Sequence, residues 1–219
     1  MNDEVKLAPE EYICKLIKDR IIKRELFPKS QIIELQLAEE TGISRTPIRQ
    51  ALKKLSYDGL VDIIPNRGAF VASPTIEEII SVYECKKVLE AAAIEKSCMN
   101  ITDEELYRLE ELLNQGIQTH NTKDLYNFIL FNEEFHMIIA KASRNKYYEK
   151  YIKELIEKTN VYLIFYDRFM LTATDESAAI KEHFKILDAL KSKNIEVCVE
   201  ASIRHNQITL DQLSLKGIV

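Results

Sequence analysis

Ala38–Leu52, AEETGISRTPIRQAL, has the grammar of two short helices around a sharp turn. Leu35, Leu37 and Ala38 set apolar side chains ahead of Gly42, and glycine supplies the backbone freedom that a tight inter-helix turn requires. Ile43 is expected to tuck under the turn. Ser44 or Thr46 can cap a second helix, and Pro47 falls in its first turn, where a missing N–H does no harm. Ile48, Ala51, Leu52 and Leu55 then recur at helical spacing, which leaves Arg45, Arg49, Gln50, Lys53 and Lys54 to point outward. The start of this helix therefore offers two guanidiniums and two hydroxyls. Such an end fits a DNA major groove, where arginine pairs bidentately with guanine O6 and N7. An ordinary helical hairpin with a solvated basic face accounts for the same pattern, and the turn by itself does not choose between the two.

The flanking residues favour the first reading. Upstream, Pro9 to Glu25 reads as an amphipathic helix with Ile13, Leu16, Ile17 and Ile21 on one side, stopped by Pro28. Downstream, Gly59 is placed to end the second helix near Tyr57 and Asp58. Leu60–Ile64 then reads as a strand, PNRG as a turn and Ala69–Ala72 as a return strand. A β-hairpin directly after a reading helix is a wing. Arg67 and Gly68 fall at its tip, where a cation reaches phosphate or minor groove and glycine permits close approach. A helix–turn–helix followed by a wing is far more specific than either part.

Every proline, from Pro9 to Pro74, lies in this first third, and beyond it the glycines are Gly116 and Gly217. A turn-rich module over 1–74 thus precedes a long helical region over 75–219. Thr75-x-x-Glu78 and Thr102-x-x-Glu105 are capping boxes. Helices are expected over 76–99, 103–119, 123–142, 146–172, 175–191 and 194–214, with the longest kinked or split. The fold class is mainly α: an N-terminal winged helix–turn–helix, then an all-α antiparallel helical bundle. A chain of 219 residues, 46% hydrophobic and 30% charged, is globular. No run approaches the ~18 apolar residues of a membrane span. The acidic start MNDEVKLAPEE lacks the apolar core of a signal peptide, and Cys14, Cys85, Cys98 and Cys198 show no CxxC spacing. Both point to a cytoplasmic protein with reduced thiols.

The net charge of −5 looks wrong for a nucleic-acid binder until it is divided. Residues 1–72 hold 12 Lys and Arg against 11 Asp and Glu, whereas 73–219 hold 18 against 24. Exposed charges are screened beyond ~10 Å, so the local balance governs contact with phosphate.

The run LAEETGISRTPIRQALKKLSYDGLVDIIPNRGAFV (37–71) resembles the winged-helix domain of GntR-type bacterial transcription regulators. The helical remainder resembles the ligand-binding domain of their FadR-like, or FCD, branch. The departure is FPKS at 27–30, where the family usually carries a glycine or a Pro-Gly. Carried over onto matching positions, Arg45, Thr46 and Arg49 contact DNA, with Lys53 beside them and Arg67-Gly68 at the wing. The resemblance also implies a homodimer on double-stranded operator DNA with an inverted repeat. One helix reads few base pairs, and two modules about one helical turn apart multiply specificity. Release of repression by a small-molecule effector is the commoner arrangement in the family; activation is open.

All four histidines, His120, His136, His183 and His205, lie in the helical region. Asn132 and His136 share a helix face, being four residues apart. Spacing does not show that the others converge, and ordinary hydrogen-bonded histidines remain an alternative. The resemblance adds more: NEEFH (132–136) looks like the family's D-x-x-F-H segment, EHFKILDAL (182–190) like its second histidine segment, and Arg204-His205 like the third. It implies a divalent metal, Zn²⁺ or Ni²⁺, on Asn132, His136, His183 and His205. His120 matches nothing in the family and is expected in a loop.

Two departures matter here. Asn132 replaces the family's usual aspartate; a neutral amide oxygen is the weaker donor and leaves more positive charge for an anionic effector. Lys86, in YECKKVLEAA (83–92), stands where the family commonly has an arginine that binds a carboxylate ligand, and lysine keeps the charge without the planar fork. Effector binding and a solvated helix cation are both open for Lys86. The leading function is a ligand-responsive transcription regulator, most simply a repressor. The alternatives are a metal-only sensor and a metal-dependent enzyme. There is no HExxH, nucleophile elbow or glycine-rich phosphate loop to support an enzyme.

Overall fold

The computed structural model describes residues 7–166, 169, 173–174 and 177–213. The chain divides into two compact units, Met1–Pro74 and Thr75–Val219. The first holds α1 (Pro9–Ile22), β1 (Gln31–Ile32), α2 (Glu34–Thr41), α3 (Arg45–Tyr57), β2 (Val61–Ile64) and β3 (Gly68–Val71). Helix α1 packs on α3, burying Ile13, Ile17 and Ile21 beside Ile48, Ala51, Leu52 and Leu55. Each large aliphatic side chain so buried contributes about 1.5–3 kcal/mol. Ion pairs of Lys18 with Asp58 (3.0 Å) and of Arg20 with Glu40 tie α1 to the end of α3 and to α2.

Pro28 does not end α1, which stops six residues before it, at Ile22. Arg24 takes a left-handed backbone (φ 60°), and the N–H groups of Glu25 and Leu26 close back on the Arg20 carbonyl at 2.8 and 3.1 Å. Gly42, also left-handed (φ 69°), caps α2. Leu35 is exposed, so of the three apolar positions expected before the turn only Leu37 is fully buried. Ser44 occupies the N-cap of α3 but makes no capping hydrogen bond.

The sheet is antiparallel in the order β1-β3-β2. β2 and β3 form the expected hairpin, with Val61 opposite Val71 and Ile64 opposite Gly68. β1, unforeseen from the sequence, sets Gln31 against Phe70. Two residues carry no alternation for a pattern to register. Gln31 also reaches the wing tip, donating from Nε2 to the Arg67 carbonyl at 3.0 Å.

The second unit is all helical among the described residues: α4 (Ile76–Asn100), α5 (Asp103–Asn121), α6 (Leu125–Ala142), α7 (Lys146–Tyr166), α8 (Ala178–Ser192) and α9 (Ile195–Gln212). Thr102 and Glu105 form both halves of their capping box. Thr75 accepts from the Glu78 N–H, but the Glu78 carboxylate takes the Tyr162 hydroxyl of α7 at 3.3 Å. Helix α6 starts two residues later than expected, because Lys123 turns left-handed (φ 57°) and Asp124 becomes its cap. Of the expected helix 146–172, residues 167, 168 and 170–172 lie outside the described residues, as do 175–176 and 214 from the next two.

Helix α4 packs against α6, α7 and α9, α5 against α6 and α8, and α8 against α9. Ala93, Met137, Ala140, Ile152 and Ile156 form a core where α4, α6 and α7 meet. No helix among the described residues is long and apolar enough to cross a membrane.

Candidate functional site

In the N-terminal unit the buried face of α3 leaves Arg45, Thr46, Arg49 and Lys53 exposed on its opposite side. The two guanidiniums are not free. Glu34, at the first position of α2, takes Arg49 Nε at 2.9 and 3.1 Å on its two oxygens and Arg45 Nη2 at 3.3 Å. Sequence reasoning missed Glu34, which is fifteen residues from Arg49 with no periodic link to it. At the wing, Arg67 lies over the Phe70 ring, 5.6 Å from its centroid, and Gly68 holds a left-handed backbone (φ 102°).

In the helical unit three expected ligands come together from three helices. His136 of α6, His183 of α8 and His205 of α9 are buried, and one ring nitrogen of each lies within 4.8 Å of the others. His136 Nε2 and His183 Nε2 are 3.3 Å apart. Asn132 is buried one turn before His136 on α6. The Phe135 ring packs with its centroid 4.5 Å from that of His183.

Burial depresses the basicity of all three imidazoles. His136 is lowered by desolvation against the opposing pull of Glu90. His183 and His205 are driven well below the ordinary range by desolvation, then by mutual repulsion among the rings. Neutral rings keep a lone pair each, as metal ligation demands.

The remaining partners come from α4 and α9. Glu90 Oε1 lies 3.0 Å from His136 Nδ1, a contact that favours the proton on Nδ1 and leaves Nε2 toward the other rings. Burial works against an ionised Glu90. The attraction of His136 and Lys86, with hydrogen bonds from His136 and Asn206, overcomes it and holds the carboxyl well below its usual range. Lys86 is no solvated cation. Only 3% exposed, it donates to Glu90 Oε2 at 3.0 Å and Asn206 Oδ1 at 3.1 Å. His120 is not a loop residue either. It is buried in the last turn of α5, with Nδ1 3.0 Å from Thr174 Oγ1 and the ring against Phe169, away from the cluster's ligand set. Its apolar neighbours were not visible as a spacing.

The three imidazoles form a group that could hold a metal ion, and among the described residues His183 Nδ1 and His205 Nδ1 have no hydrogen-bond partner.

Residues 9–71 match the family described as bacterial regulatory proteins, gntR family, and residues 81–207 match the FCD domain. The chain belongs to the GntR family, in its FCD-bearing branch. This GntR regulator is 30% identical over 210 residues to the uncharacterized HTH-type transcriptional regulator YdhC of Bacillus subtilis (strain 168), covering 93% of this chain and 92% of that one. It is 24% identical to the HTH-type transcriptional repressor RspR of Escherichia coli (strain K12), covering 94% and 91%. The fold matches that of E. coli McbR/YncC with a TM-score of 0.67 at 23% identity, over 94% of this chain and 98% of that one. The protein is thus a DNA-binding transcriptional regulator whose helical unit is an FCD effector-binding domain.

Proposed function

We propose that this GntR regulator is a cytoplasmic repressor, not an enzyme, that binds inverted-repeat operator DNA as a homodimer. Its FCD domain holds a divalent cation, Zn²⁺ or Ni²⁺, and answers to a small organic-acid effector. The observation that carries the reading is the convergence of His136, His183 and His205 on one buried point inside the effector-binding domain. The cation, when bound, supplies a fixed positive charge that attracts an anion. Asn132 and the three histidines hold it; Glu90 fixes the His136 tautomer; Lys86 adds a second positive group, tempered by Glu90.

On DNA, Arg45, Thr46 and Arg49 face base edges, while Lys53 and the wing tip at Arg67-Gly68 take phosphate or minor groove. The name of RspR supports repression. Four free cysteines fit a reducing compartment. One observation favours a second reading, metal-only sensing: the cavity bounded by Glu90, His136, Ile139, Ile186 and Ser202 measures about 10 Å³, room for about one water.

Metal analysis of the purified protein tests the site: about one Zn²⁺ or Ni²⁺ per chain is expected, lost in the His136→Ala, His183→Ala double variant. Full-length wild type retaining no divalent cation after incubation with either would end the metal reading. For DNA, Arg49→Ala should lose about 1–3 kcal/mol at a duplex selected from a random pool. Unchanged binding would remove α3 as the reading helix.

A further inference from the structure

We propose that Glu34 is a specificity-determining positioning residue: its carboxylate holds Arg45 and Arg49 in one geometry, so that α3 discriminates its operator from bulk DNA. The proposal rests on the reading of α3 as the base-contacting helix.

The geometry is direct. One carboxylate from the first turn of α2 takes three contacts from two guanidiniums on α3, at 2.9, 3.1 and 3.3 Å. Both arginine side chains are otherwise open, 59% and 63% exposed, whereas Glu34 is 26% exposed and set on a packed helix. Free arginines on a surface sample many rotamers, and ordering them at the interface costs entropy. Glu34 has already ordered them. Because Glu34 engages Arg49 through Nε, the two Nη groups stay available together, and they are the pair that can meet guanine O6 and N7 end-on.

The same carboxylate acts against unspecific binding. Attraction to phosphate draws on uncommitted positive charge. Here two cations share one anion, so turning a guanidinium aside to any phosphate strands Glu34 in the negative field of the duplex. On the right bases the arginines bind without leaving Glu34, and that loss does not arise. Glu34 therefore taxes the wrong mode and spares the right one, which is how repulsive elements create specificity.

The test uses the full-length protein as wild type, Glu34→Gln, Glu34→Asp and Arg49→Ala. Binding is measured by fluorescence anisotropy across a salt series on two probes: a duplex enriched by the wild type from a random pool, and poly(dI-dC). Glu34→Gln should bind poly(dI-dC) about three-fold more tightly, with a salt slope steeper by about 0.9, and its preference for the enriched duplex should fall at least about ten-fold. Glu34→Asp keeps the charge but shortens the reach, so poly(dI-dC) binding stays at the wild-type level while the enriched duplex weakens.

A Glu34→Gln protein that gains equally on both probes, or keeps its preference within two-fold, overturns the proposal. Should Glu34→Gln melt below the assay temperature, Glu34→Asp decides on the same ratio, and unchanged preference there overturns it. Arg49→Ala separates the premises. Enriched-duplex binding intact in Arg49→Ala removes α3 as the reader, whereas its loss together with an unchanged ratio in both Glu34 variants removes Glu34 alone.

Discussion

Asn132 and the cluster histidines show how far single residues were readable. A neutral amide in place of a carboxylate weakens the hold on a cation, so Asn132→Asp should bind Zn²⁺ or Ni²⁺ more tightly in a calorimetric titration; equal affinities would mean that the amide takes no part. The pH dependence follows from burial. His183 and His205 are held neutral well below the ordinary imidazole value of 6.5, so below that pH the unfolded chain takes up protons that the folded one refuses. Stability therefore rises with pH through this window and is lost on acidification. Glu90, held low in the folded state, adds a loss of the same sign below its ordinary value of 4.5. The metal-free melting temperature should fall steadily from pH 7 to pH 5.5, and His183→Leu should flatten that slope; a flat wild-type profile would show that the imidazoles are not buried neutral. The shared burial of His136 and Asn132 on α6 was legible because residues four apart on a helix share a face. Glu90 and Asn206 were not, since they reach the site from α4 and α9 across 116 residues of chain. Lys86 was singled out as a position of interest, but nothing local announced that its charge is answered inside the bundle.

Helices and strands were legible in proportion to their length. The long amphipathic helices were found within a few residues wherever their expected ends fall among the described residues, because burial repeats many times along each. Two-residue β1 had no repeat to find, and the end of α1 was misassigned to Pro28 because a non-glycine left-handed residue such as Arg24 carries no strong sequence mark. Gly116 is a third case, where composition hints at purpose without showing it. A glycine in the interior of α5 costs roughly 1 kcal/mol against alanine by intrinsic propensity. Yet a Cβ there would sit 2.6 Å from the Phe131 ring of α6, so the glycine lets the two helices meet. Gly116→Ala should accordingly destabilise by about 1–3 kcal/mol in urea unfolding, against its helix propensity. Gly116→Ala with Phe131→Leu should recover part of that loss. A stabilised Gly116→Ala would show that propensity, and not the α5–α6 contact, sets the balance.

Over the whole chain, the division of charge and of proline between the two units was plain from sequence, and it matches a DNA-binding unit joined to an effector-binding one. Coupling between them is another matter, since it is a free energy and not a pattern. If the cation on the histidine cluster changes operator affinity by some factor, thermodynamic linkage requires operator DNA to change cation affinity by the same factor. Both arms are measurable on one protein. Operator binding is titrated by anisotropy with a chelator and with saturating Zn²⁺; Zn²⁺ binding is titrated against a competing fluorescent chelator with and without the duplex. A switch of ordinary strength gives about 5–150-fold in each arm. A factor of that size in both arms would show that the cation on the cluster and the operator on α3 are coupled. Operator affinity indifferent to metal would confine the cation to stabilising the FCD bundle, and regulation would then fall to an effector that acts without it. Since linkage fixes the two factors to be equal, unequal factors would mean that one arm was not at equilibrium, as when metal-free protein unfolds irreversibly, which a lowered melting temperature of metal-free protein at neutral pH detects independently.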